Sequence, residues 1–233
     1  MAVGMTLILI IRQIDLSVGF VAGFLGAAAA RLLKAGVAVL PTILIVLAMG
    51  VMIGLVQGLI IGKVGVPAFI TTLAFEFGFR GLLTLITEAT GTIPIQSDVF
   101  YELSNGFIPE LFKIGDLSGS CLIAGAISMA LIVFSEIRKR KELKRYKFED
   151  MPVLLFILKL LFFVALIGTL TVVLAGYRGI SWTIVIVVIV VAIYSFVMNK
   201  TKVGRYIYGM GGNPEAAQLS GVDIKRILIG SFA

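Results

Sequence analysis

Two acidic side chains, Asp15 and Glu76, lie inside apolar stretches of the sequence, where a carboxylate could act as an acid, a base or a proton carrier. Neither has a helper, because the chain contains no histidine and its single cysteine, Cys121, lies in an apolar run. A histidine-based catalytic triad and a His-rich metal site are therefore excluded. No GxxxxGK[ST] motif is present for binding ATP phosphates. The sequence predicts no catalytic residue, no metal and no cofactor.

A polar, glycine-bearing stretch, residues 204–221, lies between two strongly apolar runs. It predicts a short helix, with Asn213 at the N-cap and Pro214 in the first turn. Glu215 complements the positive end of the helix dipole, and Gly221 suits the exit from the helix. A membrane protein without catalytic residues needs a place where an outside partner can bind. We therefore predict a docking segment, residues 199–226, although a plain connector is also compatible with this turn chemistry.

Polar groups interrupt the apolar N-terminal region at residues 12–19. An Asp or Arg at the centre of a spanning helix costs about 2.5 to 3.5 kcal/mol, so these groups should face protein or water. One interpretation is a broken helix that lines a pathway, with Asp15, Ser17 and Gly19 as candidate residues. The other is a helix end at the membrane interface, with Asp15 capping the next helix.

Glu76 and Arg80 are spaced i and i+4 within the apolar segment 66–87. This spacing places both side chains on one helix face, where we expect them to neutralise each other. They are candidates for a polar contact with the pathway or a partner helix. The alternative is a structural pair near the outer interface.

The composition defines the class of protein that must position these residues. The chain has 233 residues, of which 59% are hydrophobic and 14% charged, and a mean hydropathy of +1.09. Residues 35–62, 160–177 and 179–199 carry no charge. A helix needs about 20 mostly apolar residues to cross a bilayer. The sequence therefore predicts an integral, multi-pass membrane protein.

Basic clusters set the predicted topology. The net charge is +7, and seven of the 20 Lys and Arg residues lie within 138–147 and five within 200–226. By the positive-inside rule these clusters are cytoplasmic, which explains the charge without a nucleic-acid partner. Spans are expected at 36–61, 66–87, 117–135, 152–175 and 180–198, with 88–116 outside. Arg31 and Lys34 then also lie outside, against the rule.

The predicted fold class is an all-α polytopic bundle of about six or seven transmembrane helices. Its first 32 residues form either a re-entrant pair of short helices or one spanning helix broken near its middle. The last seven residues are too short to cross, since they reach only about 10 Å. We expect a piece of a longer permease, incomplete at both ends.

Several stretches together resemble the permease subunit of bacterial sugar ABC importers, in the ribose/xylose branch. They are residues 1–6 with 14–19, then 57–58, 66–73 and 80–81, and finally 204–208, 211–217 and 219–221. The extra helix pair at 118–175, with its basic cytoplasmic loop, is most similar to the xylose-type permease. Relatives usually have two glycines where this chain has Arg12 and Gln13, and no charge where it has Glu76. The C-terminal helices of the family are missing.

The resemblance implies one permease domain over residues 1–233 in the bacterial cytoplasmic (inner) membrane. Its expected partners are an ABC ATPase subunit, an extracytoplasmic sugar-binding protein, a second permease copy in a homodimer, and membrane lipid. The expected ATPase-docking residues are Gly204, Arg205, Gly212, Asn213, Glu215, Ala216, Ala217 and Gly221. The implied substrate is a monosaccharide, D-xylose in particular. Alternatives are an ABC permease for another sugar or small solute, or a stand-alone secondary transporter.

Overall fold

The structure, a computed structural model, describes residues 1–88, 92–95, 97–110, 112–145 and 151–233. The helices in these ranges are α1 (Ala2–Ile10), α2 (Val18–Lys34), α3 (Val39–Leu59), α4 (Ala68–Ile86), α5 (Asp98–Asn105), α6 (Gly119–Arg145), α7 (Val153–Tyr177), α8 (Trp182–Lys200), α9 (Lys202–Gly212), α10 (Pro214–Leu219) and α11 (Ile224–Phe232). A π-helical turn, Ile60–Val64, continues α3. A short antiparallel hairpin precedes α6; its strands, β1 (Lys113–Ile114) and β2 (Leu117–Ser118), have two residues each.

Five helical segments in the described residues are long and apolar enough to cross a membrane. They are Val39–Val64, Ala68–Ile86, Gly119–Leu143, Val153–Tyr177 and Trp182–Lys200. The prediction of an all-α polytopic membrane protein is thus confirmed. Each of these five segments overlaps most of one span that the sequence predicted. The short hairpin is a local exception to the all-α description.

The predicted broken helix near the N-terminus is also confirmed. Helix α1 has nine residues and α2 has 17, and residues 11–17 separate them. At 1.5 Å per residue, α1 is too short to cross the hydrocarbon core alone. We call residues 11–17 the helix break.

Packing divides the chain into two compact units, residues 1–100 with 188–233 and residues 101–187. In the first unit, α2 packs against α3 and α4, and α3 packs against α11. Ile8 of α1 lies in a buried cluster with residues of the π-helical turn, α4 and α11. Ile11 of the helix break lies in a second buried cluster with residues of α8 and α9. The break between α1 and α2 is buried at Ile11 and Ser17 and exposed at Arg12, Ile14 and Leu16. The single-domain prediction for residues 1–233 stays a prediction.

Small residues on α3 allow α11 to approach its main chain. A methyl group added at Gly54 would overlap the Phe232 carbonyl, and one added at Gly58 would lie 2.8 Å from the Ile229 Cα. Both contacts are with backbone, which has little freedom to shift. The Gly54-xxx-Gly58 spacing thus works as a close-packing surface in this protein.

In the second unit, α6 packs against α7. Within the pair, Lys159 Nζ of α7 lies 2.6 Å from Glu136 Oε2 of α6. The basic stretch predicted as a loop is helical through Arg145, and Lys147 lies outside the described residues. Arg, Lys and Glu are good helix formers, and Arg138 pairs with Glu142 one turn on, which favours the continued helix.

Candidate functional site

The helix break begins at a residue in an unusual backbone conformation. Arg12 has φ of +59°, the left-handed region that favours glycine. Its N–H donates to the Leu9 carbonyl at 3.0 Å, and the Gln13 N–H donates to the Ile8 carbonyl at 3.0 Å, which closes α1. The left-handed conformation costs a non-glycine residue about 1 to 2 kcal/mol. A glycine at position 12 would relieve this strain.

The Arg12 side chain joins the helix break to the docking segment. Its Nη2 donates to the carbonyl of Gly212, the last residue of α9, at 3.1 Å. Residue 212 directly precedes the N-cap of α10. The structure therefore brings together two stretches, 12–19 and 199–226, that the sequence suggested separately.

A chain of side-chain hydrogen bonds connects the helix break to α3. Asp15 Oδ1 accepts from the Ser17 backbone N–H at 2.8 Å and from the Ser17 hydroxyl at 2.7 Å. The Ser17 hydroxyl in turn accepts from Gln57 Nε2 at 2.6 Å. Ser17 is 1% exposed and Gln57 3% exposed. Because both are buried, these bonds have little competition from water.

Helix α4 satisfies the backbone of the break from another side. Thr72, which is fully buried, donates from Oγ1 to the Ile14 carbonyl at 3.3 Å. Irregular backbone at membrane depth is tolerated where protein groups satisfy it. Together, Gln57 and Thr72 attach the helix break to two helices, α3 and α4.

The capping role considered for Asp15 takes a different form in the structure. The N-cap of α2 is Ser17, and Asp15 accepts the Ser17 N–H from two residues upstream, as in an Asx-turn. Gly19 lies in the first turn of α2 and is exposed. Whether Asp15, Ser17 and Gly19 border a pathway remains a prediction.

The expected mutual neutralisation of Glu76 and Arg80 is not found. Both lie in the described part of α4, and no ion pair joins them there. The Arg80 guanidinium instead lies 5.7 Å from the centre of the Phe20 ring on α2, a cation–π contact. The i, i+4 spacing permits such an ion pair, but a long side chain can instead pack against a neighbouring helix, as Arg80 does.

A cluster at the end of α2 involves Arg31, one of the two cations that the predicted topology places outside. Arg31, near the end of α2, donates to the Ile86 carbonyl from Nε at 3.1 Å and from Nη2 at 2.7 Å. It also pairs with Glu88, and this hydrogen bond and charge lower the pKa of the Glu88 carboxyl. Arg31 therefore caps the carboxyl end of α4 and fastens it to α2.

Most of the docking segment is helical rather than a loop. Helix α9 begins after Thr201, whose Oγ1 accepts the Gly204 N–H at 3.4 Å. Gly204, Ile207 and Met210 form its buried face, with Gly204 against the Met198 main chain. Arg205 lies on the exposed face. The three-residue spacing of the buried groups shows that tertiary packing orders this polar sequence as an amphipathic helix.

Helix α10 has the end signals that the sequence indicated. Asn213 is the N-cap, and its Oδ1 accepts the Ala216 N–H at 3.0 Å, while Pro214 opens the first turn. Glu215 lies in that turn and is exposed. Gly221 ends the element with φ of +85°. The predicted short helix is therefore present, and its docking role stays a prediction.

Helix α10 presents an apolar side chain to its surroundings. Ala217 is its one buried residue, and it fixes the helix to the protein. Leu219 is 91% exposed, more than any other large hydrophobic residue in the described part of the chain. The exposed surface of α10 also carries Gln218 and Ala216. A short, capped helix with an exposed leucine is suited to insertion into an apolar recess of a partner.

Sequence reasoning did not predict the hydrogen bonds of Gln57, Thr72 and the Arg12 side chain. Gln57 carried a usable signal, because it is an amide within the chargeless stretch 35–62. A polar residue at membrane depth usually faces protein or water. Its partner could not be identified, since the distance to Ser17 along the chain says nothing of their contact.

No group of three or more His, Cys, Asp or Glu side chains that could hold a metal ion occurs among residues 1–88, 92–95, 97–110, 112–145 and 151–233. Asp15 is hydrogen-bonded to Ser17, and Glu76 belongs to α4. The site is thus a network of neutral and singly charged groups that connect helices.

Comparison with known proteins identifies the relatives of this chain. Residues 1–233 match the family described as the branched-chain amino acid transport system permease component. The xylose transport system permease protein XylH of Haemophilus influenzae is 30% identical over 234 residues, which cover 100% of this chain and 60% of that protein. XylH of Escherichia coli K12 is also 30% identical, over 57% of its length. The ribose import permease protein RbsC of Haemophilus influenzae is 27% identical, over 51% of its length.

The chain therefore spans between about half and three fifths of the length of these relatives. No solved structure matches the chain significantly.

Proposed function

The chain belongs to the branched-chain amino acid transport system permease component family, and on that basis we propose that it is the membrane-spanning subunit of an ATP-driven importer. It is a multi-pass protein of the bacterial cytoplasmic (inner) membrane. The transported solute is a monosaccharide, with D-xylose as the specific candidate.

The sugar assignment is supported by the names of the relatives. The two xylose permeases are each 30% identical to this chain and the ribose permease 27%, so ribose is the natural competitor in any assay. The extra α6–α7 pair is the architectural feature that favours the xylose type.

The proposed partners supply what the chain lacks. An ABC ATPase subunit hydrolyses ATP, since the sequence holds no phosphate-binding loop. An extracytoplasmic sugar-binding protein delivers the sugar, and a second permease copy completes the pathway as a homodimer. The permease itself is not an enzyme in this proposal.

Helix α10 is the observation that carries the proposal. It is exposed over nearly its whole surface, it is capped at both ends by its own sequence, and Leu219 projects from it. A receiving groove on the ATPase would cover Leu219 and place Glu215 at its rim. Gly204, Arg205, Gly212, Asn213, Ala216, Ala217 and Gly221 shape and hold this helix in the docking segment.

The hydrogen bond between Arg12 and Gly212 supports a route for the motion. A displacement of α10 by the ATPase acts on residue 212, and through the Arg12 guanidinium on the helix break. The break is in turn bonded to α3 through Gln57 and to α4 through Thr72. Closure of the ATPase would thereby shift helices between outward-open and inward-open arrangements.

The test uses the full-length permease in liposomes with its candidate ATPase and binding protein. We expect sugar-loaded binding protein to stimulate ATP hydrolysis and uptake, with D-xylose compared against ribose and galactose. In Glu215→Arg the protein should fold and hydrolyse ATP while uptake falls at least tenfold, because a cation replaces an anion at the helix N-terminus. Arg12→Gln should reduce uptake per ATP without weakening ATPase binding.

Gln218→Arg is the matched control, since it adds a cation to the same exposed helix away from its N-terminus. Uptake at the wild-type level in Glu215→Arg would contradict the docking role. Uptake driven by an ion gradient without any ATPase would instead identify a stand-alone carrier.

A further inference from the structure

A cavity of about 280 Å³ lies between α1, α8 and α9, and all of its lining residues belong to the first unit. Four residues of α1, spaced i, i+3, i+4 and i+7 from Val3, form one wall. The same spacing from Val191, together with Asn199, forms the wall on α8, and Tyr208 of α9 completes the lining. Such spacings place each set of residues on one helix face. We call this space the neutral cavity.

The neutral cavity is lined by polar side chains but by no charged one. Its polar residues are Thr6, Tyr194, Ser195, Asn199 and Tyr208, and its other lining residues are apolar. A charged ligand would find no countercharge in this lining, so a neutral ligand fits it better. The volume is near the lower end of the range for small-molecule sites, roughly 300 to 1,000 Å³. The cavity therefore suits a small neutral molecule.

Several polar groups of the lining retain the capacity for further hydrogen bonds. Asn199 Nδ2 donates to the Ser195 carbonyl at 2.8 Å and to the Ser195 hydroxyl at 3.4 Å, which leaves Asn199 Oδ1 as an acceptor. The hydroxyls of Tyr194 and Tyr208 make no hydrogen bond with the described part of the chain. Each tyrosine hydroxyl can both donate and accept. The lining can thus bond several hydroxyl groups of one ligand.

The tyrosine rings add apolar surface beside these polar groups. Tyr194 is half-buried and Tyr208 is 50% exposed, and each side chain combines an apolar ring with a polar end. A monosaccharide has a matching division, with C–H groups on the faces of its ring and hydroxyls around its edge. The chemistry of the lining therefore matches a single neutral sugar.

We propose that the neutral cavity binds a monosaccharide near the cytoplasmic side of the permease, with Tyr194, Asn199 and Tyr208 as its hydrogen-bonding contacts. The lining extends about 12 Å along α8, from Val191 to Asn199, and the predicted topology places the next residue, Lys200, in the cytoplasm. This inference rests on the proposed import of a monosaccharide and adds a binding site that the sugar occupies before its release.

Helix α9 connects the neutral cavity to the docking segment. It supplies Tyr208 to the lining and ends at Gly212, whose carbonyl accepts from Arg12. A displacement of α10 by the ATPase would therefore also move one wall of the cavity. Release of the sugar can in this way follow from the same motion that shifts the helix break.

Protection of an introduced cysteine tests whether the cavity is hydrated and binds sugar. Ser195→Cys is made in the full-length permease without other cysteines, Cys121→Ala included, and is labelled with a small water-soluble thiol reagent in liposomes. We expect labelling, because a thiolate forms in contact with water, and we expect millimolar D-xylose or D-ribose to slow it. Phe196→Cys is the matched control, since it is at the same depth on α8, is 63% exposed and does not line the cavity.

Three results of this labelling would overturn the proposal. They are an absence of labelling at Ser195→Cys, equal protection of Ser195→Cys and Phe196→Cys, and equal protection by glycine betaine, a zwitterion of similar size. Uptake measured in the same liposomes separates this proposal from the importer function. Sugar uptake without protection would overturn the binding site alone, whereas protection without ATP-driven uptake would support the site and contradict the importer.

The tyrosine hydroxyls are tested by Tyr208→Phe. The sugar concentration for half-maximal protection should rise about threefold to tenfold, the effect of one lost neutral hydrogen bond. The melting temperature should not change, because this hydroxyl makes no bond with the described residues. Tyr206→Phe is the matched control, since it removes a hydroxyl from the same helix without lining the cavity. Equal effects of the two variants on protection would mean that Tyr208 does not contact the sugar.

Discussion

The helix break and the α6–α7 pair both place polar groups in apolar surroundings, but they satisfy them differently. In the break, Ser17 and Gln57 are almost fully buried, and their bonds connect α3 to irregular backbone. In the α6–α7 pair, the side chains of Lys159 and Glu136 are 35% and 20% exposed, and their ion pair joins side chain to side chain without holding any backbone. The first arrangement positions a main chain, whereas the second neutralises charge between two otherwise regular helices.

This difference predicts where sequence changes matter. Loss of a bond in the break leaves buried polar groups without partners and releases backbone, which costs more than the bond itself. Loss of a half-exposed ion pair lets water and the remaining charge compensate. The variants below test this contrast, beginning with the largest expected effect.

The close packing of α11 against α3, the helix that bonds the break through Gln57, is tested by enlarging Gly58. In Gly58→Val, the new side chain would meet the main chain at Ile229, so the free energy of unfolding should fall by about 3 kcal/mol. Gly78→Val on α4 is the matched control, because nothing lies within 4 Å of its added Cβ, and it should cost less than about 1 kcal/mol. Detergent thermal melting compares the two. Similar melting temperatures would refute the close-packing role of Gly58.

The buried network is tested by a double-mutant cycle on Ser17→Ala and Gln57→Met. Each single change should reduce the free energy of unfolding by about 1 to 3 kcal/mol, because it removes a hydrogen bond from a buried partner. The pair should show a coupling energy of about 0.6 to 1.7 kcal/mol, the range for hydrogen bonds between membrane helices. Chemical denaturation in mixed micelles measures it. Additive effects would show that the 2.6 Å contact contributes no interaction energy.

The partly exposed ion pair of Lys159 and Glu136 tests the other side of the comparison. Lys159→Gln should cost about 1 kcal/mol or less, and adding Glu136→Gln should recover most of that loss, because no unpaired charge remains. The same denaturation experiment applies. Glu142→Gln, in the fully exposed pair with Arg138, is the control and should have almost no effect. If Lys159→Gln reduced the free energy of unfolding as much as Gln57→Met does, the distinction between the two regions would be wrong.

The smallest effect is expected at Glu88, outside the membrane-spanning segments. Its folded-state pKa lies below the ordinary value of 4.5 because of Arg31, so its contribution to stability is present above that value. The contribution is lost as the pH falls through the lowered pKa. Melting temperatures of wild type and Glu88→Gln should therefore differ slightly near neutral pH and converge in acid. A difference that grows on acidification would contradict the Arg31–Glu88 pairing.

Local signals predicted the elements well. Apolar runs with few or no charged residues predicted the spans, because placing charge in hydrocarbon is costly. Asn213, Pro214, Glu215 and Gly221 predicted α10, since capping depends on residues that are neighbours in the chain. Helix α9 was missed for the opposite reason. Its glycines argue against a helix locally, and contacts of Ile207 and Met210 with α1 and α8 order it.

Contacts between side chains were the less predictable part. The i, i+4 spacing of Glu76 and Arg80 allowed an ion pair, yet Arg80 lies over Phe20 from another helix. Gln57 was visible as a polar residue in an apolar run, but its bond to Ser17 depends on how α3 packs beside the break. Helix periodicity specifies a face, and only packing specifies what that face meets.

The sequence by itself determined the membrane class, the order of the spans, the break before α2 and the form of α10, because each follows from hydropathy or from neighbouring residues. Tertiary structure alone decided that Arg12 reaches Gly212, that Ser17 bonds Gln57, and that Arg31 caps α4. Each of these bonds joins residues at least 40 positions apart. Such contacts depend on the distances between packed helices, which no local pattern encodes.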